Sequence, residues 1–397
     1  MMKKSLLLLF AVVLVQSLRA QAPIRPDAFP PISDTVSAKG VLMADSLSEM
    51  ADWKHYPTYE LYVQMMQKFA ADYPQLCILD TIGYSVNNRL ILCAYISSDT
   101  SSHRPQFFYS STMHGDELAG FHFMLHLIDT LLESYNVSPA LTDLINTTDI
   151  FINPLANPDG TYYGGNHTVF FSRRNNANDV DLNRNYPDPF SQPVKQILQP
   201  ENSAMIDYVE RHQFKLSANL HGGSEVMNYP WDSFNSYQRQ HPNADWWIAV
   251  CQRFVDSCRT KEPSMFDDVC YSGVIAGGDW YVIRNGRQDY MNYYHNLLEV
   301  TMELSAIKKL SVAQLPVYWN AQAQSLINYI GEIHSLPTTS EIRSTTSCPS
   351  ISVFPNPTNG RVSVIVNGRT TIMDLSGYRS GLHLFSVDGF PVRIIKL

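Results

Sequence analysis

Short apolar runs alternate with segments of helical periodicity along most of the chain, and this alternation constrains the fold more than any other feature. Apolar and β-branched residues predict strands over 76–82, 90–96, 106–111, 149–155, 216–220 and 297–304. Spacings of three and four residues predict helices over 59–73, 120–132, 246–258 and 317–333. Strands that alternate with helices are typical of an α/β sheet covered by helices on both faces. Residues 85–89 predict a hairpin between the first two strands.

Clusters of polar residues follow two of these strands. His114 and Glu117 come after strand 106–111, and His221 comes after strand 216–220. Open α/β sheets bind ligands at the carboxyl ends of their strands. Two histidines and one glutamate make a zinc site with an open fourth position, which a catalytic metal requires. The sequence therefore predicts one zinc ion held by His114, Glu117 and His221.

Plainer alternatives accompany these signals. A single histidine is more often a satisfied or exposed imidazole than a metal ligand. The polar run 181–187 offers an arginine fork suited to a carboxylate, but its Asp, Asn and Pro residues also favour a solvated turn. Glycines 115, 222 and 223 favour the metal site, because they permit the close backbone approach that such turns require. Asp181 could hold the outer nitrogen of a ligand histidine.

The composition narrows the class of protein. The chain has 397 residues, of which 45% are hydrophobic and 17% charged, so a sizeable core is expected and extensive disorder is not. The net charge is −8 and the sequence has no basic stripe, which argues against nucleic acid as a partner. Six cysteines permit disulfides in an exported chain, with Cys251, Cys258 and Cys270 as candidates for pairing.

The two ends of the chain differ from its middle. Residues 1–20 have a basic start and a short apolar stretch, which predict a secretory signal peptide. Residues 21–53 are expected to be an N-terminal segment that could be removed as a pro-segment, and the catalytic domain is expected at 54–336. Residues 337–350 are rich in Thr, Ser and Pro and predict a linker, followed by a small all-β tail at 351–397. Past the signal, no apolar run approaches the length of a membrane span.

Together the polar motifs resemble those of the M14 family of zinc carboxypeptidases, and most of all its branch that includes carboxypeptidases N, E, D and M. The matching pieces occur in the family's order, at 114–117, 157–160, 174–178, 181–187, 217–223, 228–232, 280–281, 288–290 and 299–305. They cover about 59–334 of the chain. The resemblance implies an α/β fold with a mixed, mostly parallel sheet, and one zinc ion per catalytic domain.

The resemblance also implies a role for each matching residue. The zinc ligands would be His114, Glu117 and His221. The general base would be Glu303, and Arg174 would polarise the scissile carbonyl. Asn183, Arg184 and Tyr281 would hold the terminal carboxylate. Asp232 and Gln288 would contact a basic P1′ side chain, with Gln288 as a neutral acceptor. Glu299 is the rival of Glu303, because both lie on the same face of one strand and periodicity does not separate them.

The expected function is that of an exported zinc metallocarboxypeptidase that acts on peptide or protein C-termini and prefers Arg or Lys. Alternatives are a cell-wall peptidase acting on diaminopimelate-containing peptides and an inactive, ligand-binding relative. Arg287 departs from the family pattern, and a cation pointing into the pocket would weaken the preference for basic ends. The tail resembles the C-terminal sorting domain of type IX secretion, which implies a secretion machinery as partner and a secreted or cell-surface location reached through the periplasm.

Overall fold

The computed structural model describes residues 40–101, 103–190, 197–337, 351–354, 360–366, 369–387 and 390–396. The predicted signal peptide at 1–20 lies outside the described residues, as do residues 21–39 of the N-terminal segment and residues 338–350 of the linker. Within the described part of the chain, no helix is both long enough and apolar enough to cross a membrane.

An eight-stranded sheet forms the centre of the molecule. Its strands, in chain order, are β3 (Cys77–Tyr84), β4 (Leu90–Ile96), β5 (Gln106–Ser111), β6 (Asp149–Asn153), β7 (Phe214–His221), β8 (Ser224–Tyr229), β9 (Val274–Ala276) and β10 (Leu298–Ser305). They lie in the order β3-β4-β6-β5-β7-β10-β8-β9. The pairs β6/β5, β5/β7, β7/β10 and β8/β9 are parallel, whereas β3/β4, β4/β6 and β10/β8 are antiparallel. The predicted α/β fold with a mixed, mostly parallel sheet is confirmed.

Helices cover both faces of this sheet. They are α1 (Leu47–Met50), α2 (Tyr59–Asp72), α3 (Ala119–Ser134), α4 (Pro139–Thr147), α5 (Pro158–Thr161), α6 (Pro200–Glu210), α7 (Ala244–Arg259), α8 (Gly277–Trp280), α9 (Arg287–Tyr294) and α10 (Gln314–Gly331). The apolar spacing of α2 works as predicted, because Leu61, Met65 and Phe69 are buried while Thr58 caps the first turn. The sequence prediction missed α4, α6, α9 and β8.

Side chains alternate between two hydrophobic cores across the sheet. Along β5, Phe107 and Tyr109 face the larger core beneath α2, α3, α7 and α10, whereas Phe108 faces a smaller core beneath α6. A short N-terminal strap also belongs to the larger core. Its strand β1 (Met43–Ala44) pairs with β2 (Tyr56–Pro57), and Val41, Ala44 and Met50 are buried.

The described cysteines of the catalytic unit are free thiols. Cys251 and Cys258 are buried in α7, and Cys270 is partly exposed. The prediction that these three pair with one another is therefore wrong. Cys251 and Cys258 behave as small apolar side chains of the larger core.

The C-terminal tail is a separate set of strands. β11 (Ile351–Phe354), β12 (Arg361–Val366) and β13 (Arg369–Asp374) form an antiparallel sheet, and β14 (Gly381–Val387) pairs with β15 (Phe390–Lys396). A small apolar core is buried between them, made of Val362, Val364, Leu375, Val387, Val392 and Ile394. The expected all-β character of the tail is confirmed for its described residues.

Candidate metal centre and active site

The carboxyl ends of β5, β7 and β10 lie side by side and bring the predicted ligands together. His114 Nδ1 lies 3.0 Å from Glu117 Oε2 and 3.0 Å from His221 Nδ1, and His221 Nδ1 lies 2.8 Å from Glu117 Oε2. All three side chains are buried. Three lone-pair donors that converge in this way suit a small cation, since ligand atoms about 2.0–2.1 Å from a tetrahedral zinc ion lie roughly 3.3 Å apart.

The loop that carries His114 and Glu117 depends on a close packing of two glycines. A Cβ on Gly115 would lie 2.4 Å from the backbone carbon of Gly160, so no larger residue fits there without a shift. Asn157 fastens the two loops: its amide nitrogen donates to Met113 O at 3.0 Å, and its Oδ1 accepts from Gly160 N at 2.8 Å. The turn motif 157–160 therefore supports the metal loop.

Outer contacts hold both ligand histidines. His114 Nε2 lies 3.2 Å from Asp181 Oδ1, which is the contact expected of a carboxylate behind a ligand histidine. His221 Nε2 lies 2.8 Å from the side-chain amide of Asn219. Asn219 Oδ1 has no hydrogen-bond partner among the described residues, and turning this amide over lets Oδ1 accept from Nε2–H. Both rings then present Nδ1 as the free ligand atom, which fits zinc.

The electrostatics of the trio also fit a cation. Burial lowers the pKa of His221 to about 4, so the ring is neutral and able to ligate. Burial by itself would raise the pKa of Glu117, but the neighbouring His114 and His221 outweigh it and hold that pKa well below its usual range. A carboxylate and neutral imidazoles are the protonation states that a metal needs.

Glu303 lies next to this trio on β10, paired in register with His221 of β7. The side chain is buried, and its Oε2 has no hydrogen-bond partner among the described residues. Burial raises the pKa of Glu303 well above its usual range, and the negative charge of Glu117 adds to the effect. A buried carboxyl group with a raised pKa and an unpartnered oxygen is a candidate for proton exchange with a reacting group.

Glu299 has a different environment, although it lies four residues before Glu303 on the same face of strand β10. Both of its oxygens accept from Arg287, from Nε at 2.9 Å and from Nη2 at 3.0 Å. Ser217 Oγ donates to Oε2 at 2.9 Å. Glu299 and Arg287 are both fully buried. This carboxylate is committed to an internal ion pair, so the geometry separates the two glutamates where the sequence does not.

Arg174 bridges the metal loop and the polar run. Its Nε donates to Asp181 Oδ2 at 3.0 Å, and its Nη1 lies 3.4 Å from Glu117 Oε1. The side chain is 37% exposed. Arg174 therefore presents part of its guanidinium to solvent beside the ligand trio, where a substrate carbonyl could meet it.

Residues 181–187 are not a solvated turn. Asp181 caps a short 3-10 helix (Leu182–Arg184) by accepting from Asn183 N at 2.9 Å, and Leu182 and Asn183 are buried. Asn183 Oδ1 accepts from the backbone N–H of Arg287 at 2.9 Å. The amide nitrogen of Asn183 is thereby left as the group able to donate to a ligand. Burial, followed by the charge of Glu303, raises the pKa of Tyr281, so its hydroxyl stays protonated as a donor.

Asp232 and Gln288, the residues expected to contact a basic side chain, are both buried and lie in contact with each other. Gln288 Oε1 accepts from Thr301 N at 2.6 Å, and because a backbone N–H only donates, this fixes the orientation of the amide. Gln288 Nε2 then donates to Asp232 Oδ1 at 2.8 Å. Gln288 therefore orients Asp232, and one lone pair of its oxygen is taken by Thr301 N–H. That Gln288 contacts the substrate as a neutral acceptor stays a prediction.

The pocket contains a second carboxylate that sequence reasoning missed. Asp289 accepts from the backbone N–H groups of Asp232 at 2.8 Å and Ser233 at 2.9 Å. Burial raises the pKa of Asp289 to about 6, and burial together with the charge of Asp289 raises the pKa of Asp232 well above its usual range. The charge of Arg184 acts on the pKa of Asp232 in the opposite direction but does not outweigh these two effects. Nothing in the sequence signals a contact between residues 57 positions apart.

A lysine at the metal centre was also missed. Lys308 Nζ lies 3.0 Å from Asp116 Oδ2 and 3.4 Å from Glu117 Oε1. It follows β10 by three residues, and only its position after the strand that carries Glu303 could have drawn attention to it. Lys308 places a second cation, besides Arg174, against the oxygen of Glu117 that faces away from the histidines.

Comparison with known proteins defines the class to which this fold and site belong. The model of the zinc carboxypeptidase family, Peptidase_M14, matches residues 62–325. The chain belongs to the zinc carboxypeptidase family.

Individual relatives agree with this assignment. Mouse carboxypeptidase D is 34% identical over 300 residues, covering 70% of this chain, and mouse carboxypeptidase M is 36% identical over 288 residues, covering 68% of it. The human carboxypeptidase N catalytic chain is 31% identical over 333 residues, or 74% of this chain and 72% of its own length. The matching region spans 21% of the length of carboxypeptidase D and 63% of that of carboxypeptidase M.

Solved structures share the fold. The thrombin-activatable fibrinolysis inhibitor superposes with a TM-score of 0.60 at 17% identity, covering 71% of this chain and 74% of its own. Carboxypeptidase A from Helicoverpa armigera superposes with a TM-score of 0.59 at 20% identity, covering 72% of this chain and 76% of its own. At these identities the likeness extends to the fold alone.

Proposed function

We propose that this protein is a zinc-dependent metallocarboxypeptidase that removes a C-terminal Arg or Lys from peptides. The observation that carries the proposal is the convergence of His114, Glu117 and His221 within about 3 Å of one another, with Glu303 beside them. When bound, zinc would supply the Lewis acidity that activates water and polarises a carbonyl. The donor set, two imidazoles and one carboxylate, suits that ion.

Glu303 and Arg174 would perform the proton transfer and the charge stabilisation. Glu303 accepts a proton from the attacking water and returns it to the leaving amine, a role suited to a buried carboxyl group with a raised pKa. Arg174 steadies the oxyanion that forms on the scissile carbonyl, a contribution that is often worth about 3–4 kcal/mol. Glu299 takes no part in the proton transfer, because Arg287 and Ser217 occupy its oxygens.

The terminal carboxylate of the substrate would be held by Asn183, Arg184 and Tyr281. Asn183 directs its amide nitrogen away from Arg287 N–H, and Tyr281 keeps its proton, so both are donors. Arg184 adds a cation and a fork that matches a carboxylate. Donors of this kind restrict cleavage to the last peptide bond, since an internal residue has no carboxylate to place there.

Asp232 would select a basic side chain. Asp232 is a buried carboxyl group whose Oδ1 is oriented by Gln288, and its charge would attract the cation of an entering basic side chain. Position 277 must be a glycine for Asp232 to keep this position, because a Cβ there would lie 1.9 Å from Asp232 Oδ1. Arg287 does not oppose a basic side chain, since it is fully buried and neutralised by Glu299. The departure from the family pattern at Arg287 therefore leaves the preference intact.

The same arrangement disfavours the alternative substrate. The side chain of diaminopimelate ends in an ammonium group and a carboxylate, so its pocket needs a cation as well as an anion. Arg287 donates to Glu299 and Ser110 and has no exposed surface for a substrate carboxylate. An inactive relative is disfavoured because the ligand trio, Glu303 and Arg174 are all in place.

We also propose export for this enzyme. The basic and apolar residues at 1–20 support a signal peptide, and the small β-rich tail at 351–397 supports a sorting domain recognised by a secretion machinery, with the protein reaching the cell surface or medium through the periplasm. The catalytic unit would occupy about 54–336, with residues 40–53 packed against it as a strap.

The specificity is tested by comparing kcat/KM for peptides that differ only in their last residue, Arg, Lys, Leu or Glu. Asp232→Asn should cost about 2–5 kcal/mol in transition-state binding for the Arg and Lys ends, because the substrate cation loses its buried partner, and should change the Leu end little. Asp267→Asn, a neutralisation of an exposed aspartate, serves as the matched control. Preference of the unmodified protein for a Glu end would refute the proposed pocket.

A further inference from the structure

A cluster of exposed aromatic side chains borders the metal centre without taking part in it. Tyr163, Phe170 and Phe171, here named the 163–171 patch, expose 49%, 36% and 67% of their surface. Exposure of three large apolar side chains to water within nine residues of one loop is unfavourable for a folded protein. Exposed apolar patches of this kind mark interaction sites.

The loop is built to present these rings. A Cβ on Gly164 would lie 2.7 Å from the ring of Phe171, so the ring lies directly on the glycine backbone. Gly165 has a φ of +115°, a conformation that side-chain-bearing residues rarely adopt. The guanidinium carbon of Arg173 stands 3.7 Å from the centre of the Tyr163 ring, which holds that ring in place.

Two sets of contacts tie the patch to the active site. At its C-terminal end, Arg173 N donates to Gly160 O at 2.8 Å and the next residue, Arg174, accepts from Gly115 N at 3.1 Å. Within the patch, Phe170 O accepts from Lys309 Nζ at 2.9 Å. Lys309 adjoins Lys308, whose ammonium group lies 3.4 Å from Glu117 Oε1. The loop that carries the patch is therefore bonded to the backbone that precedes Arg174 and to the segment that carries Lys308.

We propose that the 163–171 patch binds the part of a polypeptide substrate that precedes the scissile bond, and that it favours apolar residues there. This inference rests on the proposed carboxypeptidase function. The last residue of the substrate fills the pocket of Asp232, and the carbonyl of the residue before it meets Arg174. The residues that precede the scissile bond therefore lie on the Arg174 side of the site, next to the loop that carries the patch. Aromatic rings suit apolar side chains, and the two cations beside them, Arg173 over the Tyr163 ring and Lys309 at Phe170 O, disfavour basic ones.

The test uses the full chain loaded with zinc and three substrates with a common Gly-Arg end: an N-acylated dipeptide, a decapeptide with Leu and Phe at the preceding positions, and the same decapeptide with Ser there. The apolar decapeptide should have a KM about tenfold below that of the Ser decapeptide, with similar kcat. The double variant Tyr163→Ser/Phe171→Ser should abolish that advantage and leave the dipeptide unchanged.

A matched control removes equally exposed aromatics elsewhere. Tyr237 and Tyr271 are 82% and 92% exposed, and Tyr237→Ser/Tyr271→Ser should preserve the tenfold advantage. Equal KM values for the two decapeptides in the unmodified protein would overturn the proposal. So would an equal loss on the dipeptide in the patch variant, because that result would indicate a general disturbance of the site.

Binding distinguishes failure of this proposal from failure of the proposed function. The affinity of the apolar decapeptide for Glu303→Gln is measured by calorimetry, with and without the two patch substitutions. Weaker binding of the apolar decapeptide in the patch variant supports a substrate-binding role for the 163–171 patch, even if the protein hydrolyses none of the substrates. The proposal is overturned if the patch substitutions leave the affinity of Glu303→Gln for the decapeptide unchanged. It is also overturned if Glu303→Gln binds a peptide-free cell-wall glycan and does not bind the decapeptide.

Discussion

At the scale of single residues, chemically identical groups on one strand acquire different chemistry from their partners. Glu299 and Glu303 are four residues apart on β10 and both are buried. Glu299 receives three donors, including both arms of a guanidinium, and remains a structural anion. Glu303 Oε2 has no partner among the described residues and lies beside the ligand trio. The difference in partners, and not the residue type, supports the proposal that Glu303 and not Glu299 is the general base.

The first prediction contrasts these two glutamates. Glu303→Gln should retain zinc and bind peptide but lose several orders of magnitude in kcat, since the change removes the proton acceptor without removing a ligand. Glu299→Gln should lower stability while retaining measurable turnover in the folded fraction. Metal content, peptide affinity and kcat are measured for both variants. Loss of turnover in Glu299→Gln alone, with Glu303→Gln active, would reverse the two roles.

At the scale of elements, one buried ion pair ties α9 to the sheet beneath the pocket. Arg287 begins α9, reaches Glu299 on β10 and donates to Ser110 Oγ on β5 at 3.0 Å. The next two residues, Gln288 and Asp289, orient Asp232 and its backbone. The position of the proposed specificity pocket thus depends on how α9 is anchored.

The second prediction concerns that anchor. Arg287→Met leaves Glu299 buried without its cation and should lower the free energy of unfolding by about 3–5 kcal/mol. Arg287→Met/Glu299→Leu removes both charges and should recover most of this loss. Denaturant unfolding of the two variants and the unmodified chain measures the difference. A single variant as stable as the unmodified chain would show that Glu299 needs no partner.

Helix α3 also contacts the N-terminal strap, through stacked and edge-to-face contacts between aromatic and imidazole rings. His126 of α3 stacks between Trp53 of the strap at 4.2 Å and Trp319 of α10 at 4.0 Å. His122, one turn earlier, is fully buried against Trp53 and Tyr56. Burial lowers the pKa of His122 to about 3. The folded protein therefore holds His122 neutral, whereas the unfolded chain binds a proton there below about pH 6.5.

The third prediction follows from this difference in proton binding. The unfolded state takes up the extra proton, so the contribution of neutral His122 to stability is present above pH 6.5 and is lost as the pH falls. Between pH 7 and pH 5 the loss amounts to about 2 kcal/mol. His122→Phe should therefore reduce the acid-induced fall in unfolding free energy by that amount, and His167→Gln, at an exposed position, should not. An unchanged fall in His122→Phe would contradict the assignment.

At the scale of the whole molecule, the sequence predicted the parts of the fold that have a clear period. Six of the eight strands of the central sheet, all but β8 and β9, and the long helices α2, α3, α7 and α10 follow from apolar spacing. Strand β8 escaped prediction because Ser224, Glu225 and Asn228 resemble a polar loop, yet all three are buried beside β10. Helix α9 escaped because its buried face carries Arg287, Gln288, Asp289 and Asn292, which form a polar network and not an apolar stripe.

The site was predictable to a similar extent and for a related reason. His114, Glu117 and His221 stand beside glycines at strand ends, so local sequence and topology together suggest a metal. The orientation of Gln288 and the support that Asp289 gives to Asp232 depend on contacts between distant segments, which no local pattern encodes. The same holds for the N-terminal strap, whose Val41, Ala44 and Met50 belong to the main core although the sequence there has little period.

The central claim is that His114, Glu117 and His221 hold the zinc on which hydrolysis depends. The most direct measurement is the metal content of the full chain together with its hydrolysis of a peptide ending in Arg, before and after treatment with a chelator and after zinc is restored. We expect about one zinc per chain, hydrolysis that disappears with the metal and returns with it, and loss of both in His221→Ala. Full zinc occupancy in His221→Ala, or hydrolysis that persists after the metal is removed, would contradict the account.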